Sequence, residues 1–218
     1  MATSGRAGAR THVQRSDTTR ALVLNAAVEC LVADGYERTT TVSVQSRAGV
    51  SRGRLLHQFP SRAALLVAAA QYLASTRITE MELWISRSEA RMADDGERCD
   101  RATELLWETF AQPYFWAAME LWHAARTDAA LRAELLATER QLGRAIKNVV
   151  ATMYGPRLSS HPDFDELSEL LFTSMRGAAL TYALQARDHM TDRRLTMWRR
   201  CARATLLGER NGLQYSQA

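Results

Sequence analysis

The chain of 218 residues has few cysteines, few prolines and no long apolar run. Its three cysteines, Cys30, Cys99 and Cys201, are far apart and odd in number, which excludes a full disulfide framework and shows no paired metal-ligand spacing. The longest apolar runs, such as that from Ala63, are shorter than the roughly 20 residues that span a bilayer. The N-terminus lacks the apolar segment of a secretory signal. These absences predict a cytoplasmic protein without a membrane span, a metal site or a cofactor.

Lysine is also nearly absent, since Lys147 is the only one, and arginine carries almost all the positive charge. The net charge of +4 is unevenly distributed. Residues 1–62 contain nine arginines and four acidic residues, whereas the remainder contains 19 basic and 20 acidic residues. This asymmetry indicates an N-terminal module that binds a polyanion, attached to a nearly neutral body.

The N-terminal residues predict an arm and then a helix. Residues 1–15 lack periodicity and are expected to form a flexible basic arm, functional or merely disordered. Ser16 or Asp17 suits the N-cap of a first helix, in which apolar residues recur at helical spacing, and Gly35 suits its C-cap.

Two shorter helices follow, within a segment that ends at residue 62. Thr40 is placed to cap the first, over 41–47, Gly49 interrupts the chain, and Ser51 is placed to cap the second, which ends near Gln58. The apolar residues have the spacing of the anchors of a helix-turn-helix: Val44, Ala48, Val50, Leu55 and Phe59. The sequence therefore predicts a helix-turn-helix DNA-binding domain over residues 16–62.

From Thr19 to about Leu73 the sequence resembles the DNA-binding domain of the TetR family of transcriptional regulators. The matching elements, in order, are AA in the first helix, DGY at its end, TT, AGVS at the turn, G-x-L, and F-x-S-[KR]-x-x-L from Phe59. Two positions depart from the family pattern: Gln45 replaces a small residue of the second helix, and Leu56 replaces the tyrosine that often contacts phosphate. The resemblance implies an all-α regulator of operator DNA.

The third helix is then the recognition helix in the major groove. Arg52 or Arg54 is suited to bidentate donation to guanine, His57 and Gln58 to a base edge or phosphate, Leu56 to a thymine methyl, and Gly53 to close approach. Phosphate contacts are expected from the hydroxyls and cations at its margins, which are Thr40, Ser51, Arg47 and Arg62. For any one of these side chains, the alternative to a base contact is a contact with water or phosphate.

Residues 63–208 are helical throughout and are expected to form the regulatory and dimerisation domain, followed by a flexible tail over 209–218. Its last two helices carry more apolar surface than one core requires, and in TetR-like proteins these helices pair in a homodimer that matches a palindromic operator. The predicted interface residues are Leu167, Leu170, Leu171, Ser174, Gly177, Ala178, Thr181, Leu195, Trp198 and Ala202. A monomeric core is the alternative.

The regulatory domain is also rich in aromatic residues, which suit a pocket for a small, largely apolar or aromatic effector. The predicted ligand-binding residues are Trp84, Trp107, Phe110, Trp116, Met119, Trp122, His123, Met175 and Tyr182. Filling of the core is the alternative for each of them. In TetR-like proteins such a ligand releases the DNA, so the resemblance implies a ligand-responsive regulator, most simply a repressor.

Other classes of function have weaker support in the sequence. A helical enzyme requires a catalytic pair, and the best candidate is HPDFDE, from His161 to Glu166, which is more simply a turn with Asp163 capping the next helix. No catalytic residue or metal ligand is therefore predicted. A helical small-molecule-binding protein or adaptor whose head no longer reads DNA remains the other alternative.

Overall fold

The computed structural model describes residues 5–88, 94–185 and 188–209, with side chains from Thr18 onward except those of Trp84 and residues 86–88. Within these ranges the chain is helical and has no strand, as the sequence predicts. The α-helices are α1 (Gly5–Arg38), α2 (Thr41–Ala48), α3 (Arg52–Gln58), α4 (Arg62–Ser88), α5 (Asp95–Glu108), α6 (Pro113–Ala124), α7 (Ala129–Ser159), α8 (Phe164–Leu180) and α9 (Arg193–Leu207). Short 3₁₀ helices cover Thr109–Ala111, Thr181–Ala183 and His189–Thr191.

The start of α1 corrects one prediction. The helix begins at Gly5, so the predicted cap at Ser16 or Asp17 is wrong, and the basic arm over residues 1–15 as a separate segment stays a prediction. Alanine, arginine and glutamine have high helix propensity, and this local preference outweighs the absence of an apolar face. Residues 1–4 and the tail from residue 210 lie outside the described residues. At its other end α1 loses helical geometry at Gly35, where φ is 74°, as predicted.

The helix-turn-helix has the boundaries that its capping residues predict. At the start of α2, Thr40 Oγ1 accepts a hydrogen bond from the backbone N–H of Ser43 at 3.0 Å, and Ser43 Oγ accepts one from the N–H of Thr40 at 2.9 Å. This reciprocal pair is a capping box. Gly49 ends α2 with φ of 66°, and Ser51 Oγ accepts from the N–H of Arg54 at 3.4 Å at the start of α3.

The chain divides into two compact units. The first comprises Met1–Thr76 and Pro113–Leu142, and the second comprises Arg77–Gln112 and Gly143–Ala218. The first unit therefore includes α6 and the beginning of α7 as well as the helix-turn-helix, whereas the sequence places the domain boundary at residue 62.

In the first unit α1 packs on α6 and α2, and α2 packs on α3. Val44, Leu55 and Phe59 are buried, and Ala48 and Val50 are partly buried against the same core, so the predicted helix-turn-helix anchors are confirmed. Burial of Leu55 alone stabilises the fold by about 1.5–3 kcal/mol, which fixes α3 with its opposite face outward. Other core residues of this unit are Val23, Leu24, Ala27, Leu31, Leu65, Leu66, Ala69, Ala117, Leu121, Leu131 and Leu135.

In the second unit α5 packs on α9, and α8 packs on α9 and on the Thr109–Ala111 turn. Charged pairs join α5 to α9: Arg199 pairs with Glu104, and Arg203 Nη1 lies 3.1 Å from Asp100 Oδ2. The core between these helices contains Trp107, Phe110, Tyr154, Leu171, Met175, Leu195, Trp198 and Ala202. In the part of the chain that the structure describes, no helix is long and apolar enough to cross a membrane.

Candidate nucleic-acid interface and ligand region

The outward face of α3 displays polar and basic side chains around a glycine. Arg52, Arg54, Leu56 and His57 are exposed, whereas Leu55 between them is buried. With 3.6 residues per turn, Gly53 and His57 lie together on the side opposite Leu55. A Cβ at Gly53 would meet no atom of the protein within 4 Å. Packing within the protein therefore does not require a glycine at this position.

The charge at the start of α3 is unfavourable for an isolated helix. Its first turn contains Arg52 and Arg54 and no acidic residue, although the N-terminus of a helix carries partial positive charge. Cations at this end lower the stability of the helix, and a bound anion would offset that loss. The electrostatics of α3 therefore favour a phosphate or another acceptor-rich partner at this surface.

The residues predicted to contact phosphate beside α3 differ in exposure and in the hydrogen bonds that they already make. Arg47 is exposed in the last turn of α2, and Ser51 is exposed at the cap of α3. The hydroxyl of Thr40 is exposed but belongs to the capping box, in which it contacts Ser43. Arg47 consequently has its charge available at the surface, whereas the hydroxyl of Thr40 caps α2.

Arg62 is positioned by contacts within the protein, and its predicted phosphate contact stays a prediction. Its Nε donates to the carbonyl of Thr39 at 2.5 Å, and Nη2 donates to the carbonyl of Tyr36. The guanidinium carbon also lies 4.0 Å from the centroid of the Tyr36 ring. The side chain therefore holds the start of α4 to the turn after α1, because two carbonyls and an aromatic face meet its planar donors.

Gln58 is also less available than predicted. The residue is half-buried, and its Oε1 is buried without a hydrogen-bond partner among the described residues. It lies closer than Gly53 and His57 to the side of α3 that faces the core. Of the residues predicted on the recognition helix, Gln58 is the one that the structure turns inward.

Three residues that the sequence reasoning missed join the turn after α1 to the later helices of the first unit. The N–H of Tyr36 donates to Glu120 Oε2 at 3.0 Å, and its hydroxyl donates to Asp128 Oδ2 at 2.9 Å. The hydrogen bonds from the Leu131 N–H and from Tyr36 lower the pKa of Asp128. Their sequence separations of 84 and 92 residues leave no local signal, so periodicity could not have predicted these contacts.

The predicted ligand-binding residues fall in both units. Trp116, Met119, Trp122 and His123 belong to the first, where Trp122 and His123 are exposed and Trp122 Nε1 donates to Glu139 Oε1 at 3.2 Å. Trp107, Phe110, Met175 and Tyr182 belong to the second and are buried. The side chain of Trp84 lies outside the described residues.

Within the second unit, Trp107 is the centre of a group of aromatic rings. Its centroid lies 6.1 Å from Phe110, 6.0 Å from Tyr182, 4.9 Å from His189 and 4.8 Å from Trp198. We call these five residues the aromatic box. The sequence reasoning did not select His189 and assigned Trp198 to the dimer interface, because residues of different helices approach here only in the folded chain.

An ion pair lies beside the box. Arg194 donates to Asp192 through Nε at 3.0 Å and Nη2 at 2.6 Å, and the hydroxyl of Tyr182 donates to the same carboxylate. These bonds, chiefly those from Arg194, hold the pKa of Asp192 far below its usual range. Burial, followed by the bond to Asp192, raises the pKa of Tyr182. The carboxylate of Asp192 also caps α9, because it accepts a hydrogen bond from the backbone N–H of Arg194 at 2.8 Å.

The residues predicted for a dimer interface divide into two sets. Six are buried within the chain's own second unit and do not provide exposed surface: Leu167, Leu171, Ala178, Leu195, Trp198 and Ala202. The rest are exposed or half-exposed, namely Leu170, Ser174, Gly177 and Thr181. Leu180, Leu184 and Met197 are exposed apolar residues of the same region that the sequence reasoning did not select.

The acidic turn before α8 differs from its predicted capping geometry. Asp163 occupies the N-cap position of α8, but its side chain makes no capping hydrogen bond, which corrects the prediction. Its backbone N–H instead donates to His161 Nδ1 at 3.2 Å. The described residues contain no group of three or more metal-ligating side chains.

Comparison with known proteins places this arrangement in a family. The model of the bacterial regulatory proteins of the tetR family matches residues 23–69. The transcriptional regulator CymR of Pseudomonas putida is 30% identical over 174 residues, which cover 78% of this chain and 82% of that protein. An uncharacterised HTH-type transcriptional regulator of Mycobacterium tuberculosis is 24% identical over 189 residues, which cover 87% and 95% of the two chains.

Solved structures share the fold over nearly the whole chain. The transcriptional regulator FadR from Bacillus subtilis, crystallised with stearoyl-CoA, has a TM-score of 0.61 at 15% identity, covering 86% of this chain and 97% of that one. A putative TetR-family regulator from Rhodococcus sp. has a TM-score of 0.54 at 21% identity, covering 88% and 96%. The tetR-family match over residues 23–69 and the 30% identity to CymR establish that the chain belongs to the TetR family and is a transcriptional regulator.

Proposed function

We propose that the protein is a homodimeric repressor that binds a palindromic operator and releases it when a small, largely apolar or aromatic compound binds. The observation that carries the proposal is the outward face of α3. It displays Arg52, Arg54 and His57 around a glycine that the protein's own packing does not need. We place the repressor in the cytoplasm, with access to DNA, and without catalytic activity of its own.

In this proposal α3 enters the major groove. Arg52 or Arg54 donates to guanine O6 and N7, which discriminates by roughly 1–3 kcal/mol against another base. Leu56 is 43% exposed and offers a methyl-bearing surface to thymine. His57 contacts a base edge or phosphate beside Gly53.

Phosphate contacts at the margins set the register of the helix on the duplex. Arg47 supplies charge, Ser51 supplies a hydroxyl, and the N-terminus of α3 supplies backbone donors. Thr40 contributes chiefly by fixing α2. Arg62 is given a structural role in this proposal, because its Nε and Nη2 donate to the carbonyls of Thr39 and Tyr36.

The effector site is proposed in the second unit, where four of the predicted residues are buried. Trp107, Phe110 and Tyr182 form ring contacts there, and Met175 is fully buried. The FadR structure was obtained with stearoyl-CoA, which supports a ligand-binding role for this fold without indicating which compound binds here. The residues of the first unit predicted for the site, Trp116, Met119, Trp122 and His123, remain predictions.

Dimerisation is proposed through the exposed face of α8. Leu170 is 57% exposed, Gly177 has open space around it, and Leu180 and Leu184 are exposed. A small residue between apolar ones allows two helices to approach closely. Two-fold symmetry then sets the two copies of α3 to half-sites about 34–36 Å apart, or a multiple of this distance.

The experiment that tests the function is selection of bound duplexes from a random pool by the purified full-length protein. We expect a palindrome to be enriched, and we expect the Arg52→Ala, His57→Ala variant to lose it. Arg144→Ala is the matched control, because Arg144 is an exposed arginine of α7 distant in sequence from the helix-turn-helix. Recovery of no sequence at low salt by a folded dimer would contradict the proposal and favour a binding protein whose head does not read DNA.

A further inference from the structure

The aromatic box is closed by a residue that does not belong to any of the long helices. His189 comes from the 3₁₀ helix His189–Thr191, between α8 and α9. Its imidazole centroid lies 4.9 Å from Trp107 and 4.5 Å from Tyr182, so the ring occupies a place among aromatic rings. Met190 and Thr191, the other two residues of this short helix, are exposed. His189 is therefore the one residue of this 3₁₀ helix that enters the box.

Few hydrogen bonds hold His189 in this position. Trp107 Nε1 donates to the backbone carbonyl of His189 at 2.6 Å, and the imidazole is hydrogen-bonded to the backbone of Phe110. The rest of the 3₁₀ helix is stabilised locally, by the cap that Asp188 forms with Met190 and Thr191. A short 3₁₀ helix that enters the box through one half-buried side chain is easier to displace than a segment of α8 or α9.

Two polar atoms of the box are left without hydrogen bonds. His189 Nε2 and Trp198 Nε1 are buried and have no partner among the residues that the structure describes. Trp198 is 3% exposed, so its indole N–H lies in the interior of the second unit. Buried polar groups are nearly always paired, and an unpaired indole N–H lacks an acceptor that a bound molecule would provide.

An open cleft adjoins the box. It has a volume of about 610 Å³ and is lined by residues on both sides of the 3₁₀ helix, including Leu184, Asp188, Arg193 and Tyr182. Tyr182 belongs to both the cleft and the box. The cleft thus provides room, directly beside the box, for a displaced imidazole and for the remainder of a ligand.

We propose that His189 is an internal plug of the effector site, and that the effector is an aromatic compound with a hydrogen-bond acceptor whose ring displaces the imidazole. The acceptor pairs with Trp198 Nε1, which can only donate, and the ring packs against Trp107. This inference rests on the proposed function, because it identifies the site and the chemical class of that effector. The plug also keeps the box closed in the absence of ligand, which avoids an empty apolar cavity.

Three small compounds of similar size test separately the requirement for an aromatic ring and the requirement for a hydrogen-bond acceptor. Acetophenone has both a ring and a carbonyl acceptor, ethylbenzene has the ring alone, and cyclohexyl methyl ketone has the acceptor alone. Binding to the full-length protein is measured by isothermal titration calorimetry without DNA. We expect acetophenone to bind more tightly than either of the other two compounds.

Substitutions test the plug and the donor separately. His189→Ala removes the group that a ligand must displace, so acetophenone should bind at least ten-fold more tightly than to the wild type. His161→Ala, at a surface histidine of the same unit, should leave the affinity unchanged. Adding Trp198→Phe to His189→Ala keeps a ring but removes the N–H, which should weaken acetophenone at least five-fold and leave ethylbenzene unchanged.

A measurement on the wild type does not depend on the folding of any variant. Saturation with acetophenone should move the C2 proton resonance of His189 to the position of a solvent-exposed histidine. An unmoved resonance, or equal affinity of wild type and folded His189→Ala, would overturn the plug. Equal affinity for acetophenone and ethylbenzene would overturn the acceptor requirement. Because no DNA is present, these outcomes are separate from failure of the repressor proposal, which the duplex selection reports.

Discussion

The guanidinium of Arg62 is held in place by hydrogen bonds and a ring contact within the protein. Its Nε and Nη2 donate to the carbonyls of Thr39 and Tyr36, and its guanidinium lies over the Tyr36 ring. Thr39 is fully buried, so its carbonyl has little access to water as a substitute partner. Arg47, in contrast, is exposed at the end of α2. The two arginines should therefore affect different measurements.

We predict that Arg62→Ala lowers the free energy of unfolding by about 1–3 kcal/mol, because buried acceptors lose a charged donor. It should leave the salt dependence of operator binding unchanged. Arg47→Ala should change stability by less than about 0.5 kcal/mol and reduce the slope of log K against log salt by about 0.9. Urea unfolding and DNA titration at several salt concentrations measure both quantities, and the reverse pattern would restore Arg62 as a phosphate contact.

His189 predicts a pH dependence of stability. Burial lowers its pKa below the ordinary value of 6.5, although the carboxylates of Asp188 and Asp192 act in the opposite direction. As pH falls through 6.5, the unfolded state binds a proton that the folded state does not. The stability contributed by the neutral imidazole is therefore present above this pH and is lost below it.

We expect the free energy of unfolding to fall more between pH 7.5 and pH 5 in the wild type than in His189→Asn, which does not titrate. Urea unfolding at a series of pH values measures the difference, and the remaining histidines are common to both proteins. Parallel pH profiles would show that the imidazole of His189 titrates alike in the folded and unfolded states.

At the scale of single helices, the residues on the exposed face of α3 lower the stability of that helix. It has arginines where a helix favours acidic residues, and it has a glycine where alanine would fit. Its two ends compensate, because Ser51 caps the start and the N–H of Phe59 bonds to the carbonyl of Leu55 at the end. The element is stable enough to present its face, and the composition of that face suits an external partner.

We predict that Gly53→Ala raises the free energy of unfolding by about 0.5–1 kcal/mol, since alanine favours the helix and meets no atom within 4 Å. The same Cβ should weaken operator binding at least ten-fold by holding α3 away from the groove. Gly143→Ala in α7 is the matched control, because that position is also open and helical. It should show the stability gain alone, and undiminished DNA binding by Gly53→Ala would contradict the close approach.

At the scale of the whole chain, the regulator proposal requires two copies. Leu170 and Leu180 of α8 and Leu184, which follows the next 3₁₀ helix, are exposed apolar residues of the second unit. Gly177 lies among them, with open space around it. A single copy would bind only one half of a palindrome, so oligomeric state and operator affinity should change together.

We predict that Gly177→Arg produces a folded monomer and lowers operator affinity at least 100-fold, because the long charged side chain prevents close approach of two helices. Light scattering after size-exclusion chromatography measures the mass, and circular dichroism confirms the helix content. Ala137→Arg, which places the same charge on an exposed position of α7, is the control and should remain a dimer. A dimeric Gly177→Arg protein would move the interface elsewhere.

The sequence by itself determined the features that depend on neighbours along the chain. These are the all-helical fold, the caps at Thr40 and Ser51, the left-handed turn at Gly49 and the buried anchors around Leu55. Capping and periodicity act within three or four residues, so their signals are complete in a short stretch. The family resemblance rests on the same stretch.

Only the tertiary structure decided which residues that are distant along the chain contact each other. It turned Arg62 toward Tyr36, buried Trp198 beside Trp107, and placed His189 against the rings of Trp107 and Tyr182. Apolar stripes on α8 and α9 predict burial but not whether the covering surface belongs to the same chain or to a second copy. The physical reason is that burial and hydrogen bonding depend on distances in space, and residues more than 80 positions apart leave no local pattern of their pairing.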